Sequence, residues 1–254
     1  MTDRQAAARA LSVLDLTNLK DDCTAEQIVA LCQKADTRHG PVAAICIWPR
    51  FVAQARGLLG AGNRIRIATV VNFPSGDGTV ADTVAETRQA IADGADEIDL
   101  VIPYRALLKG DEAAVSHMVL AVRDAVPAPA RLKVILETGE LRDATLIRTA
   151  SDLAIAAGAD FIKTSTGKTA NNATEEAAGI MLDAISASGK PVGLKPSGGI
   201  GSVPDAARYL ALADSRMGEG WAVARNFRFG ASGLLDDILR VLDGGASAST
   251  GSGY

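Results

Sequence analysis

Ala81-Asp-Thr-Val-Ala-Glu-Thr-Arg-Gln-Ala-Ile-Ala-Asp-Gly-Ala-Asp-Glu-Ile-Asp-Leu-Val-Ile102 is the stretch that decides the fold. Its first thirteen residues place apolar side chains at helical spacing, and Gly94 stops that pattern as a helix C-terminus does. After Gly94-Ala-Asp96 the period changes to a short apolar run, Glu97 to Ile102, with the length and β-branching of a buried strand. A helix closed by glycine and fed into a buried strand is half of a parallel βα unit. The same Gly-Ala-Asp punctuation returns at Gly158–Asp160, directly before Phe161-Ile-Lys163.

Working outward, equivalent runs recur roughly every 30 residues. They are Val13–Thr17, Ala43–Ile47, Ile65–Val71, Glu97–Ile102, Leu132–Leu136, Phe161–Ser165, Val192–Lys195 and Phe227–Gly230. Thr24 with Gln27 and Ser202 with Asp205 read as capping boxes that start two of the intervening helices, and Pro204 is tolerable in a first turn. Eight strands alternating with helices in 254 residues predict a single-domain α/β chain of the closed (β/α)8 type, a TIM barrel. The barrel is expected over residues 1–242. The remainder, Asp243–Tyr254, is rich in Gly and Ser and is expected to be a flexible tail. The terminal Tyr254 on such a leash could reach back over a site.

Hydrophobic residues make up 48% of the chain and charged residues 22%, so a buried core needs no covalent staple. The net charge is −4, aromatics are 4%, and there is no basic block, which argues against a nucleic-acid surface. No apolar run approaches membrane-spanning length, and Met1-Thr-Asp-Arg-Gln5 lacks the apolar core of a signal peptide. Cys23, Cys32 and Cys46 are odd in number and without metal-ligand spacing, and only His39 and His117 are present. The expectation is a cytoplasmic protein with no metal site.

Two strands end on lysine: Asp160-Phe-Ile-Lys-Thr-Ser-Thr-Gly-Lys168 and Pro191-Val-Gly-Leu-Lys-Pro-Ser-Gly-Gly199. Catalytic groups of such barrels gather where strands end. A free lysine has a pKa of about 10.4 and must lose its proton to attack a carbonyl. Burial and a second ammonium both favour that loss. Lys163 and Lys195 therefore read as a pair in which one amine is the nucleophile and the other supplies the field. Asp99, inside an apolar strand, reads as their partner, with a structural carboxylate as the plainer alternative. Asp15, Thr17, Asn72 and Glu137 also stand at strand ends. Cys46 reads as a small core residue able to line a pocket floor.

Gly167-Lys168-Thr169 resembles a nucleotide-binding loop, but that motif needs glycine at position 162, which is isoleucine. Ser197-Gly-Gly199 and Gly230-Ala-Ser-Gly233 follow the last two strands, where these barrels commonly hold phosphate on bare amides. Tight turns are the plain alternative for either cluster alone.

Leu14-Asp-Leu-Thr17, Ala44-Ile-Cys-Ile47, Asn72-Phe-Pro74, Gly94–Asp99, Pro103-Tyr-Arg-Ala-Leu107, Glu137-Thr-Gly-Glu140, Phe161–Lys168 and Lys195–Gly199, in this order, resemble the deoxyribose-phosphate aldolases. The Lys-Thr-Ser-Thr-Gly-Lys block is the most specific of them. The resemblance runs from about Leu11 to Leu242. It implies a class I aldolase with no cofactor beyond a covalent lysine imine, working on acetaldehyde and a sugar phosphate. It also implies a homodimer. By position, Lys163 would form the Schiff base, Lys195 would lower its pKa, and Asp99 would move protons with Lys195 and a water. Asp15, Thr17 and Cys46 would line the sugar part of the pocket. Thr166, Gly167, Lys168, Gly198, Gly199, Gly230 and Ser232 would surround the substrate and its phosphate. Tyr254 would assist proton exchange at the acetaldehyde methyl carbon.

Ile200-Gly201 and Ser232-Gly233 depart from the family pattern of a basic residue and a second serine at these loops, which predicts weaker preference for phosphate. Two other readings stand beside this one: a different Schiff-base barrel, for which no arginine pair is placed, and a non-catalytic sugar- or phosphate-binding barrel.

Overall fold

The computed structural model describes residues 1–248. Eight parallel strands form its centre: β1 Leu14–Asn18, β2 Ala44–Ile47, β3 Arg66–Val71, β4 Glu97–Val101, β5 Arg131–Ile135, β6 Phe161–Lys163, β7 Gly193–Lys195 and β8 Phe229–Ala231. Their spatial order follows the chain, and β8 returns to pair with β1 in parallel. Parallel bridges Leu194–Phe227 and Ser197–Gly230 join the last two strands and close the ring. All eight predicted runs are strands, and the (β/α)8 barrel is the observed fold.

The decisive stretch folds as read. Val80–Ala92 is a helix and Gly94 has φ +102°, followed by β4. The boxes at Thr24/Gln27 and Ser202/Asp205 are both formed. Three features lie outside the sequence reading. A helix Asp3–Ser12, opened by its own capping box at Thr2, precedes β1. A two-residue hairpin pairs Asp36–Thr37 with Gly40–Pro41. Single helical turns, Tyr104–Leu107 and Thr138–Leu141, follow β4 and β5. The hairpin and the single turns are too short to carry a readable period, and the buried face of the first helix is mostly alanine, which marks it weakly.

The core has two compartments. Outward-facing residues of the strands, such as Ile45, Ile98, Leu100 and Val134, pack with the helices into one large apolar layer. Inside the barrel a small apolar cluster, Leu19, Cys46, Ala68 and Val70, lies against Trp48 and Phe73. Apart from the Phe161 ring, the rest of the interior is largely ionic. Space there is tight: a Cβ on Gly193 would come within 2.4 Å of the Phe161 ring.

The last helix, Leu234–Leu242, ends at Asp243, which pairs with Arg38 and His39 beside the hairpin. The chain then doubles back. The Ser247 hydroxyl donates to Asp237 Oδ2 at 2.5 Å, and the Ala248 amide donates to Oδ1 at 2.8 Å. Asp237 belongs to that helix's first turn and also accepts from the Val203 amide, which opens the preceding helix. The first residues of the expected tail therefore run back towards the end of the barrel where the strands terminate. Tyr254 lies outside the described residues.

Candidate active site

Lys163 and Lys195 are the last residues of β6 and β7 and face each other in register. Both are buried, and both donate to the same oxygen, Asp99 Oδ2, at 2.8 and 2.7 Å. Asp99 stands in the middle of β4, fully buried. The three residues singled out for covalent chemistry are thus in direct contact.

The interior holds four more charges. Lys195 reaches Asp15 Oδ2 at 2.5 Å, and Asp15 Oδ1 accepts from Arg228 at 2.6 Å. Arg228 turns its other nitrogen to Glu97 at 2.7 Å. Glu97 accepts Lys133 at 2.5 Å, and Lys133 reaches Asp99 Oδ1 at 2.8 Å. The contacts form a closed ring of alternating sign: Arg228, Asp15, Lys195, Asp99, Lys133, Glu97 and back to Arg228. Three cations balance three anions. Lys163, hung on Asp99, is a seventh member and the surplus cation.

That balance decides which amine gives up its proton most readily. Buried charge is costly unless paired. Burial opposes the charge on Lys195, but Asp15 and Asp99 outweigh it and hold the ammonium above the ordinary lysine value. Lys133 is raised in the same way by Asp99 and Glu97. Lys163 is pushed down: burial is the main cause, Asp99 opposes it, and Lys195 adds repulsion. Burial would raise the Asp99 carboxyl, yet Lys133, Lys163 and Lys195 together hold it well below its usual range. A neutral amine beside a fixed carboxylate and a fixed ammonium is the arrangement that carbonyl attack requires.

Above this floor lies a cleft of about 340 Å³ at the strand ends. Thr17, Thr166, Gly167, Lys168, Gly198, Gly199, Gly230 and Ser232 all line it. Gly198 and Gly199 have positive φ and bring bare backbone to the cleft wall, where the Gly198 amide donates to the Gly230 carbonyl. Gly230 serves another purpose as well. A Cβ there would lie 2.5 Å from Ser197 Oγ and 3.1 Å from Lys195 Cε, so its absence makes room for the second lysine. A larger cavity of about 910 Å³ opens at the opposite, N-terminal face. Arg228 and Glu97 line it. Neither paired lysine lines either cavity, but the smaller cleft opens at the strand ends, where Lys163 and Lys195 stand, so the chemistry belongs there.

A family model for DeoC/LacD aldolases matches residues 9–236. The chain belongs to this family. A deoxyribose-phosphate aldolase of Agrobacterium fabrum is 66% identical over 251 residues, covering 99% of this chain and 97% of the relative. A crystal structure from Toxoplasma gondii ME49, provisionally identified as a deoxyribose-phosphate aldolase, superposes with a TM-score of 0.87. It is 27% identical and covers 95% of this chain and 97% of that one. Triosephosphate isomerase from Bartonella henselae shares the fold alone, at a TM-score of 0.57 and 17% identity over 91% of this chain and 98% of that one.

Three residues that the resemblance brings to the substrate are held in contacts of their own. Asp15, expected against the sugar, is fully buried within the ring and does not line the cleft. Cys46 is also fully buried, in the apolar half of the interior, and burial raises its thiol pKa. Lys168 lines the cleft but its ammonium sits 2.9 Å from Asp21 and 5.7 Å from the Trp48 ring centre. Asp21 is exposed, so this pair is weakly held and leaves the lysine free to swing.

Other residues escaped the sequence reading. Lys133, Glu97 and Arg228 sit at strand starts or middles, where a charge reads as a rim residue; only closure of the barrel turns them inward together. Asn172 also lines the cleft, packed against Gly198, with its buried Oδ1 unpartnered. Glu137, by contrast, stands at a strand end in the sequence reading; in left-handed backbone at φ +58°, it accepts from the Thr166 hydroxyl at 2.6 Å and holds the loop that carries Thr166, Gly167 and Lys168. Among the described residues no cluster of three or more His, Cys, Asp or Glu is arranged to hold a metal ion. Nor is any helix long and apolar enough to cross a membrane.

Proposed function

We propose that the chain catalyses reversible cleavage of 2-deoxy-D-ribose 5-phosphate to acetaldehyde and D-glyceraldehyde 3-phosphate through an imine on Lys163. The observation that carries this reading is a buried lysine, pushed below its ordinary pKa, held on Asp99 beneath a glycine-lined cleft, in a member of an aldolase family. The named relative at 66% identity supports the choice of substrate.

In the cleavage direction Lys163 Nζ attacks the aldehyde carbon of the open-chain sugar. The carbinolamine loses water to give an iminium, whose positive nitrogen is the electron sink. A base takes the proton of the C3 hydroxyl, the C2–C3 bond breaks, and its electron pair flows into the iminium to leave an enamine. D-Glyceraldehyde 3-phosphate departs. Protonation of the enamine at C2 gives the acetaldehyde iminium, and water releases acetaldehyde and the free amine. Each positioned proton transfer contributes typically about 10²–10⁴-fold.

Lys195, held charged by Asp15 and Asp99 between proton transfers, disfavours the charge on Lys163. Asp99 orients both lysines and relays protons with Lys195 through a water. Thr17 contacts the sugar. Thr166, Gly167, Lys168, Gly198, Gly199, Gly230 and Ser232 receive the substrate and its phosphate. Asp15 and Cys46 act from beneath the pocket rather than in it. Tyr254 exchanges the methyl proton. No cofactor takes part beyond the covalent imine. We place the enzyme in the cytoplasm as a homodimer, built of one barrel domain and a short C-terminal tail; the mass in solution by light scattering tests the dimer.

The reading is tested by incubating the enzyme with acetaldehyde, reducing with borohydride and mapping the adduct by mass spectrometry, alongside turnover of deoxyribose 5-phosphate. Adduct on Lys163 with release of both aldehydes is expected. Turnover without adduct removes the Schiff-base mechanism, and adduct without turnover of this sugar points to another carbonyl substrate.

A further inference from the structure

Arg228 stands opposite Asp99 in the charge ring, three contacts away by either arm. One arm runs through Asp15 and Lys195, the other through Glu97 and Lys133. Neither Arg228 nor Glu97 lines the substrate cleft; both border the cavity at the N-terminal face. We propose that Arg228 and Glu97 are positioning residues that set the proton affinity of Lys163 through the charge balance of the ring. The proposal rests on the imine-forming role of Lys163.

Arg228 is the one cation in the ring that cannot lose its proton. A guanidinium stays charged at any working pH and offers a planar fork. Arg228 spends that fork on both neighbouring anions, and its Nε donates to the carbonyl oxygen of Ala224. Together with Lys195 beside Asp15 and Lys133 beside Glu97, its fixed charge keeps both carboxylates ionised. Asp15 then holds Lys195 protonated, and Glu97 holds Lys133 protonated. With every ring position committed, the amine left to give up its proton is Lys163. The groups facing Lys163 are Asp99 from β4, Lys195 from β7, Cys46 from β2 and Glu137 after β5. Arg228 and Glu97 are not among them, so their influence passes through the ring.

The plainer reading is that the pair only plugs the barrel floor. A plug and a charge regulator respond differently to substitution. Removing the Arg228 charge leaves the ring one negative in excess, which favours the Lys163 ammonium. Removing the Glu97 charge leaves it one positive in excess, which disfavours that ammonium. Removing both restores the balance.

The experiment measures imine formation at Lys163 with acetaldehyde, trapped by borohydride, from about pH 6 to about pH 11, a range that brackets the ordinary lysine value of about 10.4. Arg228→Met should move the apparent pKa of the reacting amine up by about one unit, and Glu97→Gln should move it down. The double variant should return to the wild-type profile within about a third of a unit. Arg228→Lys, which keeps the charge and loses the fork, should leave the profile in place while lowering the melting temperature. Single variants that fold and shift in the same direction, or do not shift, overturn the proposal. If a single variant fails to fold, the double variant and Arg228→Lys decide, and a displaced profile in either overturns it. Absence of imine at Lys163 in the wild type would instead remove the aldolase reading itself.

Discussion

The floor and the roof of this site are built by opposite means. The floor is made of side chains with no freedom left: a ring of six charged groups, each in contact with partners of opposite sign, and Lys163 held on one of them, all within the barrel. The roof is made of glycines, threonines and backbone amides, with one lysine on an exposed partner. Chemistry that depends on which of three buried amines is neutral needs fixed charges in a dry interior, where a small change in balance moves a pKa. Recognition of a mobile, hydrated phosphate needs open amides that adapt at little cost. The floor should therefore tolerate almost nothing, and the roof should tolerate a good deal.

The sharpest break is Lys163→Ala, which should abolish imine formation at every pH, read by borohydride trapping. Lys195→Ala should differ in kind. It leaves Asp15 and Asp99 short of a partner, a loss of about 3–5 kcal/mol in stability. It also removes the repulsion that depresses Lys163. With its pKa raised, Lys163 is protonated near neutrality, so kcat should fall on the order of 10²-fold there and partly recover as pH rises past the new value. Identical behaviour of the two variants at all pH values would contradict the division of labour.

Gly230 lies where floor and roof meet, and so sharpens the contrast within one loop. Gly230→Ala must displace Ser197 or Lys195, and a displacement on the order of 1 Å at a catalytic group can cost about 10²-fold in kcat. At Gly233 an added Cβ meets nothing within 4 Å. Gly233→Ala should change kcat/KM by no more than about twofold, since a surface substitution of this kind is usually worth within about 0.5 kcal/mol.

The smallest effect belongs to the roof alone. Asp21 competes with a phosphate for Lys168, so Asp21→Asn should lower KM for the phosphorylated sugar by about twofold to threefold, in keeping with the weakness of exposed ion pairs. The same steady-state comparison for deoxyribose with and without phosphate tests whether Gly201 and Gly233 relax the preference. A discrimination as large as that of relatives with a basic residue at this loop would contradict it.

The roof and the fold were legible in the sequence for the same reason: both are written locally. A helix, a glycine stop and a strand are contiguous, and so are Ser197-Gly-Gly199 and Gly230-Ala-Ser-Gly233. Lys163, Lys195 and Asp99 were legible because each interrupts an apolar run. The ring was not. Arg228 and Asp15 are 213 positions apart, and Arg228 and Glu97 are 131 apart. Lys133 lies within Arg131–Ile135, a strand that opens with an arginine, so its charge read as ordinary. Only parallel closure of β8 on β1 turns these side chains into one interior, and that register is a property of the barrel rather than of any segment.

The central claim is that the ring is complete without Lys163, which leaves that amine neutral. Direct titration of the three buried lysines by nitrogen-detected NMR of their Nζ atoms, assigned by single substitution, tests it most directly. The account predicts that Lys163 titrates below the ordinary lysine value, while Lys133 and Lys195 remain protonated through the alkaline range. A Lys163 that titrates at or above the ordinary value, with Lys133 or Lys195 as the neutral amine, would contradict it.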